Sequence, residues 1–366
     1  MTVEGGPAAS VERAPVAHAA SGRRTPLRAT FTPEKLAINS AVAVLAVLVP
    51  FIDHSQYGMD VFVTMLIVML LNVSWNFILG VASVWNFGQL AIYAVGGYGA
   101  GLIILHTPIP PAIAIIGGGL TGTALAVIIS VPTLRLYGIY TSLLTFAAAE
   151  VVQLVIENDT TGTTGGNFGL PMVRGLFGSL SPLWNERAWY WTCLGILILA
   201  VAGTALLTRT TFGLGLRTLR DSLPYGSARG IAPLRFRVTA FALSGFVAGL
   251  AGALYTIYNG SISPTVMGLT PMSIYVTMLV IGGMGTMTGP LIGTAIVTLI
   301  EQLLIDHPGT EFTVLGAVLL AIVIFFPRGI AFEFERLRRR VNAWMNETEP
   351  VPAEDVGEPA APATIG

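Results

Sequence analysis

Few residues of this chain carry groups able to do chemistry, and their spacing excludes most of it. Glu150 is the one acid inside an apolar run long enough to be buried. A carboxylate there is costly unless it faces a cavity or a partner. It therefore lines a polar path, or it is hydrogen-bonded near the end of its helix, where Glu157 and Asp159 follow. The histidines His18, His54, His106 and His307 are never paired at ligand spacing, and the single cysteine, Cys193, sits in an apolar run. That pattern argues against a zinc site, a disulfide framework or a histidine-dependent hydrolase. Lys35 is the only lysine and no G-x-x-x-x-G-K-[ST] stretch exists, so the chain has no phosphate cradle of its own. No metal and no bound cofactor is expected on this chain.

Uncharged polar groups are the next resource. Asn72, Asn76, Asn86 and Gln89, with Tyr93, Tyr140, Thr141 and Glu150, are the candidates for a polar path through otherwise apolar runs. Each amide taken singly is equally suited to bonding one helix to another, a contribution of about 0.6–2 kcal/mol.

These groups must be positioned by membrane-spanning helices. Of the 366 residues 53% are hydrophobic, and none from Val61 to Leu134 is Asp, Glu, Lys or Arg. A water-soluble domain cannot leave such a stretch uncharged, and unbroken runs of this length are helices rather than barrel strands. The expectation is an all-α polytopic membrane protein of about eight to ten transmembrane helices. Its 42 glycines suit helices whose backbones approach closely. Apolar spans fall at 36–52, 60–80, 87–105, 111–131, 138–156, 188–208, 238–258 and 312–327. The region 272–304 is interrupted by Gly282, Gly283, Gly285, Gly289 and Pro290, a candidate hinge. It is either two spans or a re-entrant pair. It echoes 76–103, and paired discontinuous helices in two halves point to a transport path and to an inverted repeat. Residues 1–35 read as a basic, disordered cytoplasmic arm, 36–330 as the membrane domain, and 331–366 as a basic and then acidic cytoplasmic tail.

Between Thr208 and Val238 lie Arg209, Arg217, Arg220, Arg229, Arg235 and Arg237 with one acid, Asp221. The positive-inside bias puts this loop, 209–237, in the cytoplasm with both termini, and the loop 157–187 outside, with Trp184, Trp189 and Trp191 in an interfacial belt. Phe212 to Asp221 reads as an amphipathic surface helix, broken between Gly226 and Gly230. Arg235 and Arg237 read as span-end charges, and 212–231 as a docking surface for a soluble protein.

At this point a resemblance becomes specific. The stretches Arg217-Thr-Leu-Arg-Asp-Ser-Leu-Pro-Tyr-Gly-Ser-Ala-Arg-Gly-Ile-Ala232, Asn86-Phe-Gly-Gln-Leu-Ala-Ile-Tyr93, Tyr137-Gly-Ile-Tyr-Thr-Ser142, Thr164-Gly-Gly-Asn-Phe-Gly-Leu170 and Ile281-Gly-Gly-Met-Gly-Thr-Met-Thr-Gly-Pro290 occur in order. Together they resemble branched-chain amino acid ABC transporter permeases of the LivM type, from about residue 60 to 330. The resemblance implies an importer subunit for branched-chain or related hydrophobic amino acids, working by alternating access in the bacterial cytoplasmic membrane. It implies a homologous second permease, two ATP-binding subunits carrying ATP and magnesium, and an external substrate-binding protein, with no nucleic-acid partner. Arg217, Arg220, Asp221, Gly226, Gly230 and Ile231 would form the ATPase-coupling site. Two positions depart from the family pattern: Leu223-Pro224-Tyr225 stands where a coupling-loop glutamate is usual, and Gln153 stands where an arginine would follow Glu150. Related permeases carry urea, short amides or aromatic acids. The rival from another class is an ion-coupled carrier, for which Glu150 is the one clear intramembrane acid.

Overall fold

Long uncharged runs have nowhere to satisfy their backbone except within themselves, and they fold here as helices. The computed structural model describes residues 55–304, except 135, 137, 172 and 178–181, together with 313, 314, 316, 317, 320 and 330. The arm 1–35, the expected span 36–52, most of the span 312–327 and all of the tail 331–366 lie outside the described residues. Ten α-helices are described: α1 Gln56–Asn76, α2 Gln89–His106, α3 Pro111–Thr133, α4 Ile139–Glu157, α5 Pro182–Arg209, α6 Thr211–Asp221, α7 Leu223–Ala228, α8 Pro233–Asn259, α9 Leu269–Gly282 and α10 Gly289–Leu304. Six of them, α1 to α5 and α8, are long and apolar enough to cross a membrane.

Local chemistry sets the ends. Ser55 caps α1 by accepting from the Gly58 amide at 3.1 Å. Proline opens α3 and α8, where a missing N–H costs nothing. Gly260, at φ 69°, closes α8 in the left-handed conformation.

The bundle has two faces. The arginine-rich α6 and α7 lie at the start of α8, and the last turn of α8 lies beside the first turn of α1, where the Tyr258 hydroxyl reaches Asp60 at 2.7 Å. On that same far face Leu170 pairs with Ile262, its amide donating at 2.8 Å and its carbonyl accepting at 3.1 Å. The loop after α4 is wound round Asp159, which accepts from the amides of Thr161 (2.8 Å) and Thr164 (2.6 Å) and from both hydroxyls. Those bonds, the Thr161 hydroxyl first, hold the Asp159 carboxyl well below the usual carboxylate range. The loop 157–187 and the loop 209–237 thus lie on opposite faces. Trp184 and Trp191 are exposed, but Trp189 is buried against Tyr258 and Phe177, so it belongs to the core and not to a belt.

The region 272–304 is two helices rather than one. At about 1.5 Å per residue, α9 and α10 are roughly 21 and 24 Å long, short of the ~30 Å hydrocarbon core. They nevertheless run the depth of α1. The Tyr57 hydroxyl donates to Gln302 at one end, and Asn76 bonds the turn at Gly285 and Thr286 at the other. Both this pair and 76–103 approach the arginine face and turn back from it. The echo between them is therefore a parallel one, and the expected inversion does not relate these two segments.

The tightest packing joins α2, α3 and α8. Any side chain on Gly96 would collide with the backbone of Gly249, and a Cβ on Gly249 would lie 2.5 Å from the Gly118 carbonyl and 3.1 Å from the Gly122 Cα. Close backbone approach of this kind replaces the hydrophobic drive that is missing between helices in lipid. Gly249→Ala is expected to cost about 1–3 kcal/mol and to lower the thermal unfolding midpoint of the detergent-purified protein. Gly203→Ala on α5, where a Cβ meets nothing within 4 Å, should leave that midpoint unchanged or raise it. Equal midpoints for the two variants would mean that the crossing does not hold the bundle.

Candidate functional site

On α1 the residues Asp60, Thr64, Val68, Asn72, Asn76 and Gly80 recur every four positions, so neighbours lie one turn apart and the set forms a stripe that winds slowly about the helix into the π-helical turn Phe77–Val81 that ends the span. That stripe meets the α9–α10 pair. At the far face the seam opens into a cavity of about 320 Å³ lined by Asp60, Thr64, Thr298 and Glu301, among others. Its floor is apolar: Val68 packs with Met278, Ile281 and Val297. One turn deeper, the fully buried Asn72 donates from Nδ2 to the Thr294 hydroxyl at 2.8 Å and lies 3.4 Å from the Met278 sulfur. Its Oδ1 has no partner. Because the thioether only accepts, it keeps the NH₂ on its own side and leaves the oxygen over.

Asn76, one turn further, has both ends occupied. Nδ2 donates to the Thr286 carbonyl at 2.8 Å and Oδ1 accepts from the Gly285 amide at 2.7 Å. These are backbone groups of the turn between α9 and α10, where Gly285 sits at φ 83°, a conformation that glycine adopts without strain. The turn is closed by contact: a Cβ on Gly282 would collide with the Gly289 carbonyl, and one on Gly80 would lie 2.8 Å from the Gly285 nitrogen. All the candidate hinge residues, Gly282, Gly283, Gly285, Gly289 and Pro290, therefore lie at one close junction between α1 and the pair.

At the arginine face the seam ends in an open cavity of about 750 Å³, lined by Gly80, Ser83, Arg220, Asp221 and residues 284–287. Ser83 has a φ of 53°, a left-handed backbone on a non-glycine residue, the sort of strain that collects at functional sites. Arg220 reaches into this cavity. Its Nη1 donates to the Gly80 carbonyl at 3.1 Å and its Nε to Asp221 at 3.3 Å.

The helix that carries Arg220 is amphipathic as expected. α6 buries Leu216 and Leu219 and exposes Leu214, Arg217 and Arg220. It is tied to α8 by Phe212 stacked on Phe236, with centroids 5.3 Å apart, and by Gly215 lying against the Phe236 ring. The break comes at Ser222, not at Gly226 to Gly230, because Pro224 cannot continue a helix but can open one. Ser222 caps α7 through the Tyr225 amide at 3.4 Å. Gly226 is buried against Leu219, Gly230 adopts φ 82° and Ile231 closes the turn by donating to the Gly226 carbonyl at 3.1 Å. Arg217, Arg229, Leu214 and Tyr225 are left on the exposed side.

The remaining path candidates are elsewhere. Gln89 donates to Ser74 (2.9 Å) and Ser244 (3.0 Å) and accepts from Asn86 (2.8 Å), a closed knot joining α1, α2 and α8. Tyr93 is buried between α2 and α8 beside Tyr255. Thr141 is buried on α4, Tyr140 is exposed, and Glu150 is half-buried on the same loosely packed helix. Gln153 bonds Glu157 at 2.7 Å instead of Glu150. The fold thus brings Asn72 and Asn76 together with the glycine junction and Arg220, and leaves Gln89, Tyr93, Tyr140, Thr141 and Glu150 apart from them. Asp60, Thr64, Thr294, Thr298 and Glu301 were not singled out from sequence. The four-residue spacing from Asp60 to Gly80 was the signal available.

The profile of the family described as "Branched-chain amino acid transport system / permease component" matches residues 57–326. Over 313 residues the chain is 25% identical to the high-affinity branched-chain amino acid transport system permease protein LivM of Salmonella typhimurium, covering 79% of this chain and 73% of that one. It is 30% identical over 154 residues to the probable branched-chain amino acid transport permease protein LivH of Methanocaldococcus jannaschii, 39% of this chain and 48% of that one. It is 34% identical over 150 residues to the autoinducer 2 import system permease protein LsrC of Klebsiella pneumoniae, 39% of this chain and 42% of that one. No solved structure matches the chain. With six long apolar helices among the described residues, it is a multi-pass inner-membrane transport protein. The matched region takes in the whole seam from α1 to α10 and the helices α6 and α7 between, and the chain belongs to the family of permease components of branched-chain amino acid transport systems.

Proposed function

We propose that this chain is one of two homologous permeases in an ATP-driven importer of branched-chain or related hydrophobic amino acids. In this reading ATP and magnesium are bound on two separate cassette subunits and an external binding protein delivers substrate to the far face. The arginine face is then cytoplasmic, and so are both termini. The observation that carries the reading is the Arg220 contact with the Gly80 carbonyl. It links an exposed, amphipathic docking helix directly to the end of the seam. A cassette seated on α6–α7 displaces Arg220, Arg220 draws on the π turn, and Asn76 passes the displacement to the Gly285–Thr286 turn. The seam, closed here by Val68 and its neighbours, opens by turns to either face. The exposed apolar residues Leu214 and Tyr225, flanked by Arg217 and Arg229, supply the dock without the missing glutamate. Glu150, mid-span on the loosely packed α4, marks a face for the second permease, since a carboxylate turned to lipid is costly.

The tagged chain, recovered from its native membrane in mild detergent, is expected to bring with it an ATP-hydrolysing subunit. Leu214→Asp with Tyr225→Asp should abolish that recovery while the chain stays folded. Recovery that persists moves the dock elsewhere. Absence of any ATPase, with uptake that collapses with the proton or sodium gradient, would make the chain an ion-coupled carrier.

Arg220→Ala should leave the dock intact and impair transmission. A hydrogen bond to a charged group contributes about 1.5–3 kcal/mol, so uptake per ATP hydrolysed is expected to fall by about tenfold or more with cassette recovery unchanged. Asn76→Ala should give the same uncoupling from the other end of the relay, with a loss of thermal stability that Arg220→Ala does not show. Coupled transport at wild-type efficiency in both variants would exclude the relay.

A further inference from the structure

We infer that the cleft between α3, α5 and α8 is a lipid site, holding one acyl chain of a glycerophospholipid whose phosphate sits at Arg174 on the far face. The site stands whether or not the chain is an importer.

α5 packs along α1 but meets α8 only sparsely. The gap is a cavity of about 500 Å³ that follows α5 from Thr192 to Leu207, roughly 22 Å at about 1.5 Å per residue. Ile116 on α3 and Leu199 on α5 belong to its walls and are exposed, so the cleft opens sideways where apolar spans face lipid. The chemistry of the walls selects the occupant. Among the described lining residues the hydroxyls are Ser74, Thr192, Thr204 and Ser244. Each donates to a backbone carbonyl, of Leu71 (2.6 Å), Ala188 (2.8 Å), Ala200 (2.9 Å) and Ser74 (2.8 Å) respectively. Their protons are spent, so neither a polar solute nor a water, which needs several partners, is held here. Left empty, a gap of this size would forfeit dispersion contacts along every wall. A hydrocarbon chain restores them, and the membrane supplies it. Gly203 keeps the slot clear: a Cβ there meets nothing within 4 Å.

The far-face end of the lining includes Ala112 and Leu176. Arg174, exposed two residues before Leu176, donates from Nη2 to the Ile109 carbonyl at 3.5 Å, just ahead of α3. Its guanidinium thus lies at the mouth, and its planar fork of donors suits phosphate oxygens. Trp184, exposed in the first turn of α5 with Arg187 at 5.4 Å from its ring centroid, marks the headgroup level on the same face. A lipid chain held in the cleft braces α5, which leads through Thr210 straight into α6.

The test is native mass spectrometry of the full chain, purified in mild detergent and titrated with dioleoyl phosphatidylglycerol, for wild type, Gly203→Leu, Arg174→Ala and Gly195→Leu. A Cβ on Gly195 also meets nothing within 4 Å, but the residue is not on the described lining, so its variant controls for leucine on the same helix. Thermal midpoints check folding. Wild type and Gly195→Leu are expected to hold one lipid per chain with equal affinity. Gly203→Leu, which fills the slot, should weaken binding by about tenfold or more without lowering the midpoint, and Arg174→Ala by about threefold. Equal binding by wild type and Gly203→Leu overturns the site. In native membranes, benzoylphenylalanine in place of the half-buried Ile196 should photocrosslink to phospholipid. An adduct to a peptide instead, of a second permease or of this chain, also overturns it.

Discussion

The Asn76 carboxamide is the contact on which the seam depends. A backbone N–H or C=O in a turn has no helical partner, and a side chain that supplies one fixes the turn. Gly285 and Thr286 lie in a turn between two short helices and lack helical partners. Asn76 offers one acceptor and one donor and takes both. That single side chain lets α9 and α10 be short and separate, lets the turn come to rest against Gly80, and holds α1 against the pair from one face to the other. A hydroxyl could meet both groups only by splitting a poorer geometry, and an aspartate could accept but not donate.

Two kinds of buried amide occur in this bundle, and the difference between them is informative. Around Gln89 the donors and acceptors are matched: the amide serves two serine hydroxyls and Asn86, and Ser244 returns a bond to the Ser74 carbonyl at 2.8 Å. A completed network rigidifies, and nothing in it calls for a ligand. Asn72 is a few turns away on the same bundle, equally buried, and incomplete. A protein that has closed one polar cluster so fully has no structural need to leave an acceptor over in the other. The leftover oxygen, on the stripe of α1 that meets the α9–α10 pair, is where such a group is useful.

Much of this was legible in the chain, and the reasons for the rest are physical. Span lengths, the uncharged stretch from Val61 to Leu134 and the arginine loop reveal themselves because lipid tolerates few alternatives. The six described spans begin and end within a few residues of their apolar runs. Ser222 as the break was hidden behind the glycines that follow, although Pro224 was the stronger signal. The seam was harder to see. On α1 its polar members are diluted by Val68 and set in a helix apolar all round, and their partners Thr294, Thr298 and Glu301 lie more than two hundred residues away. Glu150 attracted notice as a lone charge in a span, whereas Asp60 and Glu301 escaped it because they sit at span ends, where charges are ordinary.

The amphipathic helix α6 has two contacts with the membrane bundle, and they differ in stiffness. One is α8, gripped by α6 through Phe212, Gly215 and Phe236. But α8 is also locked to α2 and α3 along glycines whose backbones touch, and packed interfaces of that kind do not deform by degrees. The other is the end of α1, where the helix has already loosened into a π turn, the next segment carries the strained Ser83, and one guanidinium holds one carbonyl. In the proposed coupling, a push on α6 is resisted at α8 and yielded to at α1. In that reading the triangle of α2, α3 and α8 is the frame, and α1 with the α9–α10 pair is the part that moves. Asn76 ties the pair to α1 at the arginine face and the Tyr57 hydroxyl ties it at the far face, through Gln302. In the proposed coupling Val68 and Met278, between the two ties, are the residues that separate first.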